Sequence, residues 1–360
     1  MKIAILWWTS WFGKWLAKQF KEFSKKYNID LDVWITGRNQ TKWEQAAKEL
    51  DVKFTTNNVD AVKEADITVV SVTIWNTKRV INEIWPYLKY WSILADVTSV
   101  KKMPYEEMNK FKERVLVVPT HPMFWPFVKD IVGQVIVLTP PEETKRDYRY
   151  LWFKAFLEQQ GAKIFEISPE IHDKVMSIVQ WLTHFSLFVV WETLKRILKE
   201  RFGAEKDGKE IMSFIENFTS PVYKMLTSLV GRYMWQNPWL YAEIQVNNEE
   251  NKFIQEIFIQ VAKEFNRLLF KGNNLNDFVK ILEDGKRYFW EYTQSGQKYT
   301  DKIIFLLAEQ IRKINENIWN KIQIKNIYTG ELVEGILKNF ENWYIYLDEK
   351  KYDINEWILI

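Results

Sequence analysis

The chain has 360 residues, enough for two domains of ordinary size and a small third. It is 47% hydrophobic and 27% charged, with Lys+Arg 50 against Asp+Glu 47, so a nucleic-acid coat and a polybasic membrane binder are both excluded. Cysteine is absent, which removes a disulfide framework, a thiolate metal site and a cysteine nucleophile from consideration. One figure is abnormal: there are 19 Trp and only 12 Gly, where about 7% glycine, roughly 25 residues, is usual. Either the core is rich in aromatics, or many tryptophans stand where a fold needs glycine.

In chain order, residues 1 to about 168 alternate short β-branched runs with helical stretches. The runs are Ile3–Leu6, Leu31–Thr36, Ile67–Val72, Ser92–Ala95, Val115–Val118, Val135–Leu138 and Lys163–Ile167. Amphipathic segments such as Lys14–Tyr27, Gln45–Leu50 and Thr144–Gln160 lie between them. This alternation predicts an α/β domain with a parallel sheet covered on both faces. From Pro169 the pattern is helical. Asp173–Glu200 is apolar on nearly all sides and is predicted to be one long helix buried in a helical domain or a dimer. Helices are expected at Lys209–Phe218, Pro221–Met234, Trp239–Leu269, Leu275–Tyr292 and Thr300–Asn315. The last segment, Lys321–Ile360, returns to short strands and reads as a small β-barrel-like appendage. The expected domains are therefore 1–168, 169–316 and 317–360. No uninterrupted apolar stretch approaches the ~20 residues of a membrane span, and no signal peptide is visible, so the chain reads as cytoplasmic with neither nucleic acid nor membrane as partner.

Strand Ile3–Leu6 is followed by Trp7-Trp8-Thr9-Ser10-Trp11-Phe12-Gly13 and then a helix. Strand, tight loop, helix is the context of a dinucleotide-binding fingerprint, in which glycines let backbone N–H groups approach a pyrophosphate. With Trp7, Trp8 and Trp11 read as glycine the loop is a strong fingerprint; with tryptophan, three indoles compete with the cofactor. After the second strand, Thr36-Gly37-Arg38-Asn39 lacks the acidic residue that holds a ribose 2′-hydroxyl. Arg38 is either a solvated loop residue or a partner for a 2′-phosphate, which favours NADP over NAD.

The remaining motifs, taken together and in order over about residues 1–315, resemble the prephenate and arogenate dehydrogenases of tyrosine biosynthesis. They are Asp96-Val97-Thr98-Ser99-Val100-Lys101, Thr120-His121-Pro122-Met123-Phe124-Trp125-Pro126, His172-Asp173, and Gln180-Trp181-Leu182-Thr183-His184-Phe185. Ser220-Pro221-Val222-Tyr223, Gly231-Arg232 and Gln236-Asn237-Pro238-Trp239-Leu240-Tyr241-Ala242-Glu243 complete the set. In that family glycine is usual at positions matching Trp7, Trp8, Trp11, Trp125, Trp181 and Trp235. Trp85, Trp91, Trp191, Trp290, Trp319 and Trp343 also sit in turn-like or close-packing contexts, whereas Trp15 and Trp152 fall where an aromatic is natural. The expectation is that UGA codons read as glycine in the source stand here as tryptophan. The excess of Lys over Arg, 39 against 11, fits an AT-rich genome.

The resemblance implies a Rossmann domain followed by an all-α dimerisation domain, and oxidative decarboxylation of prephenate to 4-hydroxyphenylpyruvate with hydride passed to NADP or NAD. Arogenate is the alternative substrate. A non-catalytic relative is the alternative function if the loop tryptophans are real, and another Rossmann dehydrogenase such as a β-hydroxyacid enzyme is a further rival. The chemistry requires one base and groups for two carboxylates, but no metal. His121, at the carboxyl end of a strand, is the expected base, since a histidine is the natural acceptor near neutral pH. Ser99 is expected to hydrogen-bond both His121 and the substrate hydroxyl, with Lys101 supporting that loop. His184, Arg232, Lys224, Gln180 and Tyr241 are the expected substrate contacts. Lys224 and Arg232 can share one helix face. Trp7, Trp8, Thr9, Ser10, Trp11, Phe12, Gly13, Arg38 and Ser71 are the expected cofactor contacts. His172-Asp173 is read as structural, starting the long helix.

Overall fold

The computed structural model describes residues 1–7, 11–125, 128–203, 208–272, 274–341 and 343–360, with the side chain of Trp11 also outside the description. The cofactor contacts expected at Trp8, Thr9 and Ser10 therefore lie outside the described residues. Two compact units divide the chain, Met1–Phe258 and Ile259–Ile360.

In the first unit, strands β1 (Lys2–Trp7), β2 (Asp32–Thr36), β3 (Lys53–Thr55), β4 (Ile67–Ser71), β5 (Ile93–Asp96), β6 (Leu116–Pro122), β7 (Val135–Leu138) and β8 (Lys163–Glu166) form one sheet. Its order is β3-β2-β1-β4-β5-β6-β7-β8. The first six strands are parallel. Their crossovers include α1 (Trp11–Tyr27), α2 (Gln40–Leu50), α3 (Asn58–Val62), α4 (Ile74–Ile84) and α5 (Lys102–Asn109). Ile3, Ile5, Val33, Ile35, Val69 and Val118 face one apolar layer, and Ala4, Leu6, Val70, Leu94 and Val117 face the other. Burial on both faces is why these strands read as continuous apolar runs.

The sheet departs from the all-parallel expectation at its far edge. β7 pairs antiparallel to β6, and β8 runs parallel to β7. An antiparallel neighbour needs no crossover over the sheet face. α6 (Tyr148–Gln159) then joins β7 to β8.

The predicted long helix is interrupted. α7 (Pro169–Met176) begins on a local signal, Ser168 accepting the Ile171 N–H with Pro169 in the first turn. A π-helical segment, Ser177–Leu182, follows, and α8 (Thr183–Phe202) continues from it. By length and composition the run Pro169–Phe202 could cross a membrane. It carries four buried polar side chains, however, His172, Asp173, Ser177 and His184, all engaged within this unit. It is only partly covered in a single chain: Ile178, Val179, Val189 and Trp191 are exposed, a face that a partner helix can bury.

α9 (Lys209–Glu216), α10 (Pro221–Met234) and α11 (Pro238–Val246) follow. α10 and α11 start on Ser220-Pro221 and Asn237-Pro238 caps. The helix expected over 239–269 breaks at 247–250, and α12 (Asn251–Asn266) resumes beyond it. The break has a cause in asparagine side chains that compete for backbone groups. Asn247 Nδ2 donates to Glu243 O, Asn248 Oδ1 accepts from Glu250 N, and Asn248 Nδ2 donates to Asp173 O at 2.7 Å. α11 is also tied to the sheet layer, where its Glu243 carboxylate accepts from the Trp75 N–H at the start of α4. Tyr241, Ile244, Ile74 and Val100 bury a shared cluster. The segment 169–258 thus groups with the sheet domain in one unit.

The second unit holds the end of α12, a π turn at Arg267–Lys271, α13 (Leu275–Tyr288) and α14 (Trp290–Glu316). It ends in β9 (Lys321–Asn326), β10 (Leu332–Glu341), β11 (Tyr344–Leu347), β12 (Lys350–Asp353) and β13 (Trp357–Leu359). These strands form an antiparallel sheet of order β12-β11-β10-β9-β13. Its core is Ile314 of α14 with Ile322, Ile324, Leu337, Ile345, Leu347 and Trp357. So small a core depends on each member. Ile324→Ala, at a fully buried position, should destabilise this unit by about 2–5 kcal/mol, read as a lowered denaturant midpoint for its transition.

Candidate active site

The site lies at the carboxyl ends of β5 and β6, where an open α/β sheet receives its ligands. Lys101 and Asp96 are both fully buried there. Lys101 Nζ donates to Asp96 Oδ2 at 2.5 Å and to the carbonyl of Thr120 at 2.7 Å. Asp96 Oδ2 also accepts from the N–H and hydroxyl of Thr98. Burial pulls the Lys101 ammonium below its ordinary value, and the Asp96 carboxylate opposes that. One lysine thus ties the end of β5 to the residue preceding His121 on β6.

The Asp173 carboxylate completes the arrangement from α7. It accepts the backbone N–H groups of Lys101 and Lys102 at 2.8 and 3.1 Å, capping the start of α5. Asp173 Oδ1 also meets His172 Nδ1 at 2.7 Å, and His172 Nε2 meets His121 Nδ1 at 2.9 Å. The second ring nitrogen of His121 faces Gln180 Nε2 at 3.3 Å. Burial, with His172 and Lys101 adding to it, holds the His121 imidazole well below its ordinary value of 6.5. His172 is lowered as well, chiefly by burial.

Hydrogen-bond direction follows from the acidic end of this chain. Asp173 accepts, so His172 carries its proton on Nδ1 and presents an Nε2 lone pair. His121 must then donate from Nδ1, which leaves its Nε2 lone pair facing the Gln180 amide. The π segment explains how Gln180 gets there. An inserted residue in a helix re-aims side chains at that turn, and Gln180 belongs to it.

The other expected contacts distribute as follows. His184 is buried between Tyr233 and Tyr241, with ring centroids 4.9 and 5.0 Å away. Burial lowers it to about 4, and its Nδ1 has no partner among the described residues. Tyr241 gives its hydroxyl to Gln236, so its ring rather than its hydroxyl serves His184. Arg232 is exposed on α10, and its charge is felt at both Tyr233 and Tyr241. Lys224, on the same helix, interacts electrostatically with Glu216 instead.

Ser99 is half-buried and does not bond His121. The expected Ser99–His121 hydrogen bond is replaced by the bonds to His172 and Gln180, which occupy both ring nitrogens. Conversely, His172-Asp173, read from sequence as structural, supplies the partner of His121. All three are buried polar groups that need partners, but their burial is not visible in sequence. Only the fold reveals that they partner one another.

In this fold a dinucleotide's pyrophosphate takes the amino end of α1. Here the buried Trp7 indole packs against Gly13 in the first turn of α1. A Cβ built on Gly13 would lie 2.4 Å from Trp7 Cγ, and the Trp7 ring sits 4.1 Å from that of Trp43. Trp43 in turn presses on Gly37 at the end of β2, where a Cβ would lie 2.0 Å from its Cδ1. The residues as they stand do not fit a pyrophosphate. Arg38 is exposed just past β2, and Ser71 ends β4 in register with Trp7. Among the described residues no cluster of His, Asp and Glu could hold a metal ion.

Fold and site together define a class, an oxidoreductase with a Rossmann nucleotide-binding domain and a helical second domain. Residues 25–166 match the family described as "Prephenate dehydrogenase, nucleotide-binding domain", and residues 168–284 match "Prephenate dehydrogenase, dimerization domain". A relative from Methanocaldococcus jannaschii, named "Probable arogenate/prephenate dehydrogenase", is 38% identical over 359 residues, covering 98% of this chain and 76% of the relative. The chain belongs to the prephenate dehydrogenase family. The "T-protein" of Haemophilus influenzae is 28% identical over 67% of this chain, which spans 59% of that protein. The fold is shared with Synechocystis arogenate dehydrogenase, at TM-score 0.58 and 20% identity over 81% of this chain and all (100%) of that one. It is also shared with prephenate dehydrogenase from Aquifex aeolicus in complex with hydroxyphenyl propionate and NAD+, at TM-score 0.61 and 19% identity over 81% of this chain and 98% of that one.

The buried ion pair yields a direct test. Lys101→Met leaves Asp96 charged and unpaired, and should cost about 3–5 kcal/mol of stability. The double variant Lys101→Met/Asp96→Leu should recover part of that loss in the same denaturation experiment.

Proposed function

We propose that the protein oxidatively decarboxylates prephenate to 4-hydroxyphenylpyruvate in tyrosine biosynthesis, with a nicotinamide dinucleotide as oxidant, and that it works as a cytoplasmic homodimer. The observation that carries this reading is the buried chain from Asp173 through His172 to His121. It holds one imidazole neutral, in one tautomer, with its Nε2 lone pair toward the Gln180 amide.

Prephenate's ring hydroxyl must lose a proton as the ring is oxidised and the ring carboxylate departs as carbon dioxide. His121 Nε2 is the acceptor. His172 and Asp173 keep the ring oriented and stabilise the imidazolium that forms, as a carboxylate does behind a catalytic histidine. The Gln180 amide, which donates to Nε2, yields that position to the substrate hydroxyl. Ser99, on the loop between β5 and α5, provides a second contact for the same hydroxyl. Arg232 is the cation for a substrate carboxylate, a task its planar fork suits. Lys224 adds charge from two turns earlier on α10, and the unpartnered Nδ1 of His184 offers a further hydrogen bond. Arg38 favours the 2′-phosphate of NADP, and Ser71, in register with Trp7, is a further nucleotide contact.

Arogenate is the second reading, since relatives carry both names. It differs by an amino group in place of the side-chain keto group, so turnover measured on both substrates decides between them. In protein that binds the dinucleotide, His121→Asn should lower kcat by about 10²–10⁴-fold while nucleotide binding is retained. Because the lowered pKa keeps His121 neutral, kcat/KM should stay flat as pH falls through 6.5 and drop only at more acid pH. A His121→Asn variant with unchanged kcat contradicts the assignment, as does an acid limb at or above 6.5.

A further inference from the structure

The abnormal ratio of tryptophan to glycine acquires a location in the backbone. Among the described residues, seven non-glycine positions have left-handed φ: Asn28, Asp51, Glu64, Trp91, Trp319, Trp343 and Asp348. Asn and Asp tolerate that region because a short polar side chain can hydrogen-bond locally. Tryptophan has no such compensation, and a bulky residue there is an outlier. Yet three of the seven are tryptophan.

Each of these three stands at a tight reversal. Trp91, φ 63°, precedes β5 and donates its N–H to Arg114 O at 2.7 Å. Trp319, φ 73°, lies between α14 and β9 and donates to Leu337 O at 2.6 Å. Trp343, φ 65°, turns the hairpin between β10 and β11. These residues are 58%, 71% and 44% exposed, so none fills a core, although the Arg149 guanidinium lies 5.3 Å from the Trp91 ring centroid. Glycine alone occupies such positions without steric cost.

Trp7 differs in kind and points the same way. It is buried rather than exposed, its ring lies against Gly13, and its Nε1–H has no partner among the described residues. Buried indole N–H groups ordinarily find an acceptor. By contrast, Trp15 is buried with its Nε1 donating to Val128 O at 2.8 Å, as a tryptophan proper to its site does.

We infer that positions 7, 91, 319 and 343 are glycine in the protein as its source makes it, and that glycine at position 7 opens the amino end of α1 to a dinucleotide. The second part rests on the reading of the fold as a nicotinamide-dependent dehydrogenase. A single reassigned codon accounts for all four positions. UGA differs by one base from the tryptophan codon UGG and by one base from the glycine codon GGA.

The test is peptide mass spectrometry on protein isolated from its source. Tryptic peptides Ile3–Lys14, Tyr90–Lys101, Ile314–Lys321 and Asn339–Lys350 carry the four positions, and Trp15–Lys18 is the control. Each of the four should be lighter by the difference between tryptophan and glycine at its position, while the control keeps its indole. Tryptophan at 7, 91, 319 and 343 in that material overturns the inference. A second arm titrates NADP and NAD against the tryptophan chain and against the variant Trp7→Gly/Trp8→Gly/Trp11→Gly. The variant should bind and the tryptophan chain should not. Binding by the tryptophan chain equal to that of the variant overturns the claim about position 7. Glycine in the source peptides with no binding by the variant leaves the assignment of glycine standing and removes the dehydrogenase reading.

Discussion

The arrangement of this molecule turns on a carboxylate and an ammonium that share no contact with each other yet meet at one residue. Asp173 holds the backbone of Lys101, and the side chain of Lys101 holds Asp96 and the carbonyl of Thr120. Three elements distant in sequence, the ends of β5 and β6 and the start of α7, are thereby locked at one point. Burying these charges is costly and is tolerated only because nearly every polar atom is satisfied. What the lock secures is the position of His121, one residue beyond Thr120, at hydrogen-bond distance from His172. Stability and chemistry are therefore not separable here. The ion pair that ties β5 to β6, and the Asp173 cap that ties α7 to the same residue, also set the place of the candidate base.

Much of the fold can be read from residue pattern. The apolar runs at Ile3–Leu6, Ile67–Val72 and Val115–Val118 lie in β1, β4 and β6, because burial on both faces leaves a signature that local sequence carries. The Ser-Pro and Asn-Pro starts of α7, α10 and α11 are likewise local. What escaped was decided by tertiary contact. The antiparallel direction of β7 against β6 is not encoded in strand composition. The π segment at Ser177–Leu182 and the break at 247–250 interrupt runs whose periodicity is helical throughout. In the second case Asn248 reaches Asp173, a contact across 75 residues of chain.

The candidate site divides in the same way. His121 stands out in sequence as a histidine closing a strand, and the structure places it in β6 at the sheet's carboxyl edge. Its partners do not stand out. His172 looks like the start of a helix, and only the approach of α7 to β6 makes it the second member of a relay. Ser99 shows the converse: the resemblance implied contact with His121, whose two ring nitrogens face His172 and Gln180 instead. The tryptophans are a third case. Their composition is anomalous in the bare sequence, but the reason becomes physical only when φ values and the crowding at Gly13 are known.

The central claim is that Asp173 and His172 hold His121 as a neutral imidazole protonated on Nδ1. The chain contains only His121, His172 and His184, so ring-nitrogen NMR of histidine-labelled protein can be assigned with single substitutions. The account predicts that His121 shows a protonated Nδ1 and an unprotonated Nε2, and stays neutral well below pH 6.5. A His121 ring protonated on Nε2, or one that titrates at or above 6.5, contradicts it.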